Sequence, residues 1–362
     1  MIKGKKLGGM VLAIMLMTVM AACGNNGESN NGGSGNNGGN NAAPTEAAAS
    51  TASAESTTPA ETEAPKEAEK VKLVLNWFPK AQHGGVYAAQ EQGIFADNAL
   101  DVTIEPGGPS VSAVQIVASG SAEFGLAHAD QIVIAKNQGI DLVVVAAALQ
   151  GSPQAFMFQE DADVKDFEDL NGRTVFVQPG ITYWDYLKKK YDLSGVKEIA
   201  YTGQFVNFIA DPESVTQSFV TSEPFFMTKE GVKTKTLLIS ESGYNPYNVV
   251  LFVTKDYLAK HKETVASFVK AFSEGWMSYK DTSAEVDKAI HEANPNIDLD
   301  AVDFEAEAQQ EFVYGGDAAE HGFGYMTEER WTTLIDQLAE LGLLKEKFDA
   351  KDIFTTEFLP SE

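Results

Sequence analysis

The chain has 362 residues, 44% of them apolar and 22% charged, and its 52 acids against 27 Lys and Arg give a net charge of −25. A surface this acidic repels phosphate backbones, which disfavours nucleic acid as a partner and weakens the case for a polyanionic ligand. A single cysteine leaves no internal disulfide to form.

Lys3, Lys5 and Lys6 precede an uncharged apolar segment from Leu7 to Met20, too short to span a bilayer and laid out as a secretory signal. Ala21-Ala22-Cys23 follows and resembles the lipobox of bacterial lipoproteins, in which cleavage leaves the cysteine as a lipid-bearing N-terminus. Residues 1–22 are therefore expected to be a signal peptide and Cys23 the lipidation site. Losing the three lysines, with no acid in that segment, would take the charge to about −28. From Gly24 to Lys70 the composition turns to Gly, Asn, Ser, Thr, Ala, Glu and Pro, which cannot bury enough surface to offset ordering entropy. Residues 23–70 read as a disordered tether.

Val71 to Leu75 is a short apolar run. Gly84 to Phe95 then sets Val86, Ala89, Gly93 and Ile94 on one helical face, and Leu100, Val102 and Ile104 alternate with Asp101, Thr103 and Glu105. Leu142 to Leu149 reads as a central strand buried on both faces. Val175 to Val177 repeats that character after the turn Asn171-Gly172. Such alternation implies parallel sheets with helical crossovers. Towards the C-terminus Val265, Phe268, Val269, Phe272 and Trp276 share one face, and Trp331, Leu334, Ile335, Leu338 and Leu341 another, opened by Thr327 as N-cap and closed by Gly342. Aromatics at helical spacing are read as core.

Three groups of residues carry a resemblance. Lys72-Leu73-Val74-Leu75-Asn76-Trp77-Phe78-Pro79 is followed by His83, Gly93-Ile94-Phe95 and Leu100-Asp101-Val102; Ala118 to Leu126 contains Gly120-Ser121-Ala122-Glu123-Phe124-Gly125; Asp169 to Arg173 and Ser222-Glu223-Pro224-Phe225 come later. In this order they resemble the substrate-binding proteins of ABC importers that include the thiamine-pyrimidine-precursor binders and, more distantly, the nitrate, sulfonate and taurine binders. The resemblance extends over most of residues 71–280. It implies an α/β, two-lobed type II periplasmic-binding fold, each lobe a mainly parallel sheet flanked by helices, with two hinge crossings. The first lobe would hold residues 71–158 and 252–362, the second 159–251, with the ligand between them.

That arrangement agrees with the rule that open α/β sheets bind at the carboxyl ends of their strands. Trp77 would then stack on a flat ligand, with Asn76 offering donor and acceptor together and His83 a further polar contact. Gly107 and Gly108, at a strand-to-helix turn, can bring backbone N–H groups close to a ligand. His128 follows the third strand, and the nearby Asp130 reads as a helix N-cap. In the second lobe Gln178 leads to Tyr183 and Trp184, one or the other expected to form the opposite wall of a sandwich with Trp77. Glu223 is expected to accept from an exocyclic amine, and Asn245 and Tyr247 lie near the return crossing.

Rings with few cations favour a neutral heteroaromatic ligand over nitrate or sulfonate. The thiamine pyrimidine precursor is the first expectation and a flavin such as riboflavin the second. The fungal branch of the family makes the pyrimidine itself, using a Lys and a donor His after Gly-Leu; here Gly125-Leu126 is followed by Ala127-His128-Ala129-Asp130-Gln131, so a binder is expected, without catalytic residues, cofactor or metal. The expected partners are a membrane permease and ATPase, with the protein a lipid-anchored monomer outside the cell membrane; a ligand sensor for a receptor kinase would use the same fold.

Overall fold

The computed structural model describes residues 67–360, so the signal segment, Cys23 and most of the expected tether lie outside the described residues. Among the described residues, ten strands are arranged in two five-stranded sheets. The strands are β1 (Glu69–Val74), β2 (Leu100–Glu105), β3 (Phe124–Ala127), β4 (Leu142–Leu149), β5 (Gln154–Gln159), β6 (Thr174–Val177), β7 (Lys197–Ala200), β8 (Val215–Phe219), β9 (Thr234–Leu238) and β10 (Asn248–Thr254). The first sheet runs β2-β1-β3-β10-β4 and the second β7-β6-β8-β5-β9, each forming the centre of one lobe.

Both sheets are mixed. The pairs expected from strand-helix alternation are parallel: β1 with β2 and β3, and β6 with β7 and β8. The antiparallel members are β5 and β10, the strands that carry the chain into a new lobe from the side facing its neighbour. Sheet membership therefore places the crossings at 149–154 and 238–248. The start of β5, expected in the first lobe, belongs to the second, and the start of β10, expected in the second, belongs to the first. The last residues assigned to the tether, Glu69 and Lys70, already pair in β1.

The apolar run of β4 is buried throughout, as expected, but the strand lies at the sheet's edge. The C-terminal segment covers that edge: Val144 N–H donates to Ile353 O at 2.8 Å, and Ala147 N–H to Gly324 O at 3.0 Å. A continuous apolar run shows that a strand is covered, whether by another strand or by a loop.

Gly84 to Phe95 divides into two helices, Gly84–Glu91 and Ile94–Asp97, because Gly93 adopts a left-handed φ of 75° between them. The long helix Lys262–Ala293 buries Val265, Phe268, Val269, Phe272 and Trp276 in the first lobe. Helix Glu328–Glu340 buries Trp331, Leu334, Ile335 and Leu338; the Thr327 side chain accepts from Arg330 N–H as N-cap, and Gly342 follows in left-handed conformation. Among the described residues no helix is long and apolar enough to cross a membrane.

Candidate ligand site between the lobes

Trp77 leaves the end of β1 and Tyr201 follows β7, so each sheet contributes one ring to the space between the lobes. Their planes are 7° apart and their centroids 6.2 Å apart. Behind this pair is a small cavity of about 40 Å³, lined on the first lobe by Asn76, Gln82 and His128 and on the second by Gln154, Gln178, Tyr183, Gln217 and Phe219. Trp77 and Tyr201 also border a groove of about 580 Å³ with an apolar wall of Phe78, Phe205, Val206, Ile209 and Phe226. Trp77, Tyr201, Lys80 and Glu223 border both spaces.

The loop after β1 is fixed from behind. Gly107 N–H donates to Trp77 O at 3.0 Å, and a Cβ on Gly107 would stand 2.2 Å from Leu75 O. Close backbone approach, expected there toward a ligand, is instead used to seat the Trp77 segment, and Gly108 borders the Phe78 ring. His83 is fully buried behind Asn76, with its Nε2 2.9 Å from Asn76 Oδ1; it does not line the cavity. Burial, with help from the Lys80 charge, lowers its pKa to about 3, so it acts as a neutral support.

Glu223 does line the cavity, but each of its oxygens is engaged. Oε1 lies 2.8 Å from Lys80 Nζ and Oε2 accepts Phe219 N–H at 2.6 Å. Lys80, from the first lobe, also donates to Ser222 Oγ at 2.8 Å and approaches Glu305 at 3.5 Å; Ser222 donates to Glu305. The result is a mostly buried cluster in which Lys80 and Glu305 of one lobe hold Ser222 and Glu223 of the other. Burial works against the Lys80 cation, but the Glu223 and Glu305 carboxylates outweigh it and hold its pKa at about 12. The cation beside the cavity is thus committed to carboxylates.

Of the expected residues, Asn76, Trp77, His128, Gln178, Tyr183 and Glu223 meet around the cavity. Trp184 does not: it turns into the core of the second lobe, 5.6 Å from Phe156 by ring centroids. One helical step separates Tyr183 from Trp184, so one faces the cavity and the other the core. Asn245 and Tyr247 secure the return crossing. Asn245 Oδ1 accepts Ser152 N–H at 3.0 Å; the Tyr247 hydroxyl donates to Asp317 at 2.6 Å, and the Arg330 guanidinium lies 3.7 Å over its ring centre. Asp130 lies in the first turn of helix Ala129–Asn137, two places beyond its N-cap His128, and accepts from the Tyr244 hydroxyl at 2.7 Å.

Tyr201, Gln82, Lys80, Gln154 and Gln217 were not anticipated. Lys80 and Gln82 were within reach, because they stand in the same Asn76-to-His83 loop as the expected contacts. Tyr201 follows a short strand with exposed positions and little apolar periodicity, which left it without a signal.

Residues 80–284 match the family described as NMT1/THI5 like. The chain belongs to this family. Among its relatives, the riboflavin-binding protein RibY of Chloroflexus aurantiacus is 25% identical over 309 residues, 81% of this chain and 86% of that protein. The formylaminopyrimidine-binding protein of Halalkalibacterium halodurans is 24% identical over 302 residues, 80% of this chain and 90% of the relative. The fold of this NMT1/THI5-like protein is also that of the periplasmic aliphatic sulphonate binding protein SsuA from Escherichia coli, with a TM-score of 0.62 and 12% identity, covering 82% of this chain and 95% of SsuA.

Proposed function

We propose that this protein is the extracytoplasmic solute-binding component of an ABC importer and captures a flat, neutral heteroaromatic ring between Trp77 and Tyr201. The observation that carries this reading is the parallel pair of rings, one from each lobe, above a cavity whose polar lining is mostly amide. Two ring faces and neutral donors and acceptors suit a heterocycle, whereas a sulfonate or nitrate calls for a free cation, and Lys80 is already paired.

The pyrimidine precursor of thiamine is the first candidate, in keeping with the formylaminopyrimidine-binding relative. A flavin is the second, favoured by the apolar groove that adjoins the ring pair and by the riboflavin-binding relative. Ligand binds to one lobe, and hinge closure brings the other over it and excludes water. The closed form docks on a permease driven by an ATPase, while a lipid on Cys23 and the tether of residues 23–70 keep a monomeric binder close to it. The protein is a binder and not a catalyst on this reading: Ala127 stands where the fungal branch has its Lys. Calorimetric titration with hydroxymethylpyrimidine, formylaminopyrimidine and riboflavin tests it, saturable binding of one of them being the expected result and binding of none the contrary one.

A further inference from the structure

We infer that His128 is held in a single tautomer, with Nδ1–H toward Asn248, so that its Nε2 accepts a hydrogen bond from an N–H on the edge of the bound ring. This rests on the ligand reading above and deepens it by stating which ring edge the cavity selects.

Asn248 is fully buried at the beginning of β10. Its Oδ1 lies 3.0 Å from Val249 N, and only an oxygen can accept that backbone N–H, so the amide has one orientation. Its Nδ2 donates to Ser152 Oγ at 3.1 Å, consistent with that orientation. His128 Nδ1 sits 2.5 Å from the same Oδ1 and must therefore carry a proton. Burial disfavours the imidazolium and lowers the pKa, against the pull of Asp130 and of the Asn248 hydrogen bond, so the ring is neutral and Nε2 bears a lone pair. Among the described residues Nε2 has no hydrogen-bond partner, and it is not among the sealed, partnerless atoms of the interior; the ring lines the cavity.

Asn76 presents the complement. Its Oδ1 is taken up by His83 Nε2 at 2.9 Å and Gln82 Nε2 at 3.4 Å, which leaves the Nδ2 donor for the cavity. Asn76 and His128 also share the small recess that adjoins the cavity. An acceptor and a donor on one wall read a ring edge that offers an N–H beside a carbonyl or ring nitrogen. Amides, imides and amino-substituted ring amidines have such an edge, and flavins and aminopyrimidines both contain one. A sulfonate or nitrate presents acceptors only and would face the His128 lone pair with its own. His128 is thus a specificity-determining residue and Asn248 its positioning residue.

The test pairs riboflavin with its N3-methyl derivative and a 4-aminopyrimidine with its dimethylamino derivative, each titrated into wild type and His128→Ala. Methylation of the N–H is expected to weaken binding to wild type about tenfold or more, the worth of one lost hydrogen bond, and to matter far less in His128→Ala. An equal penalty in both proteins for whichever parent ring binds overturns the inference. Nitrogen-15 spectra of the ligand-free protein provide an arm that needs no ligand: Nε2 is expected as the unprotonated ring nitrogen, and Asn248→Leu is expected to release the tautomer. If neither parent compound binds, the proposed function fails, and the spectra still decide the tautomer, a protonated Nε2 overturning it.

Discussion

Trp77 and Tyr201 face each other from opposite lobes with ring planes 7° apart, so the wall of the cavity is also a contact between the lobes. The 6.2 Å between their centroids is less than a third ring needs between two parallel ones, at about 3.4–4 Å per contact. Ligand entry therefore requires the lobes to part or the rings to slide, and the rings then close on the ligand instead of on each other.

Trp77→Ala and Tyr201→Ala should each weaken ligand binding by about 1–3 kcal/mol, the scale of a stacked and buried ring face, while leaving the fold intact. Trp184→Phe should leave affinity unchanged, because that indole packs in the second lobe's core. Calorimetry on the three variants separates these outcomes.

Lys80→Met should cost about 3–5 kcal/mol of stability, the usual consequence of leaving buried carboxylates without their cation. Here Glu223 and Glu305 are the carboxylates left behind, one in each lobe, so repulsion between them also favours an open cleft. Chemical denaturation reads the first effect, and a larger radius of gyration in solution scattering reads the second.

Gly107→Ala should weaken ligand binding although the residue does not line the cavity. Its Cβ would meet Leu75 O at 2.2 Å and Trp77 N at 2.6 Å, forcing the segment that presents Asn76 and Trp77 to move. A binding isotherm that matches wild type would show that the loop absorbs the methyl group without displacing the ring.

Asp287 gives a pH dependence of defined sign. Burial raises its pKa to about 7 from 3.8, with the Tyr279 hydroxyl working against the shift and Asp303 adding to it. The folded state then binds a proton that the unfolded chain releases near pH 4, so stability is fully present below that point and falls as pH rises to about 7. Asp287→Asn keeps the hydrogen bond from Tyr279 and loses the titration. Denaturation curves from pH 4 to 8 should therefore converge at low pH and separate in favour of the variant at high pH.

Much of the fold was legible because burial imposes a period on the sequence. The faces of helices Lys262–Ala293 and Glu328–Glu340 could be read residue by residue, as could the alternation in β2. The two antiparallel strands were not legible, since an apolar run such as Val249 to Val253 looks the same in either direction. In the site, Asn76 and Trp77 stood out as polar and aromatic residues where a strand ends. Tyr201 did not, because its partner across the cleft is 124 positions away and local pattern carries no record of that pairing. Glu223 was legible as a cleft carboxylate, but its commitment to Lys80 depends on the other lobe.

Competition calorimetry on the purified protein tests whether the cleft accepts a neutral heterocycle between Trp77 and Tyr201. Saturable one-to-one binding of an aminopyrimidine or a flavin is expected, lost together with the ring in Trp77→Ala and undisturbed by excess alkanesulfonate. Tight binding of the alkanesulfonate, with no heat from either heterocycle, would contradict it.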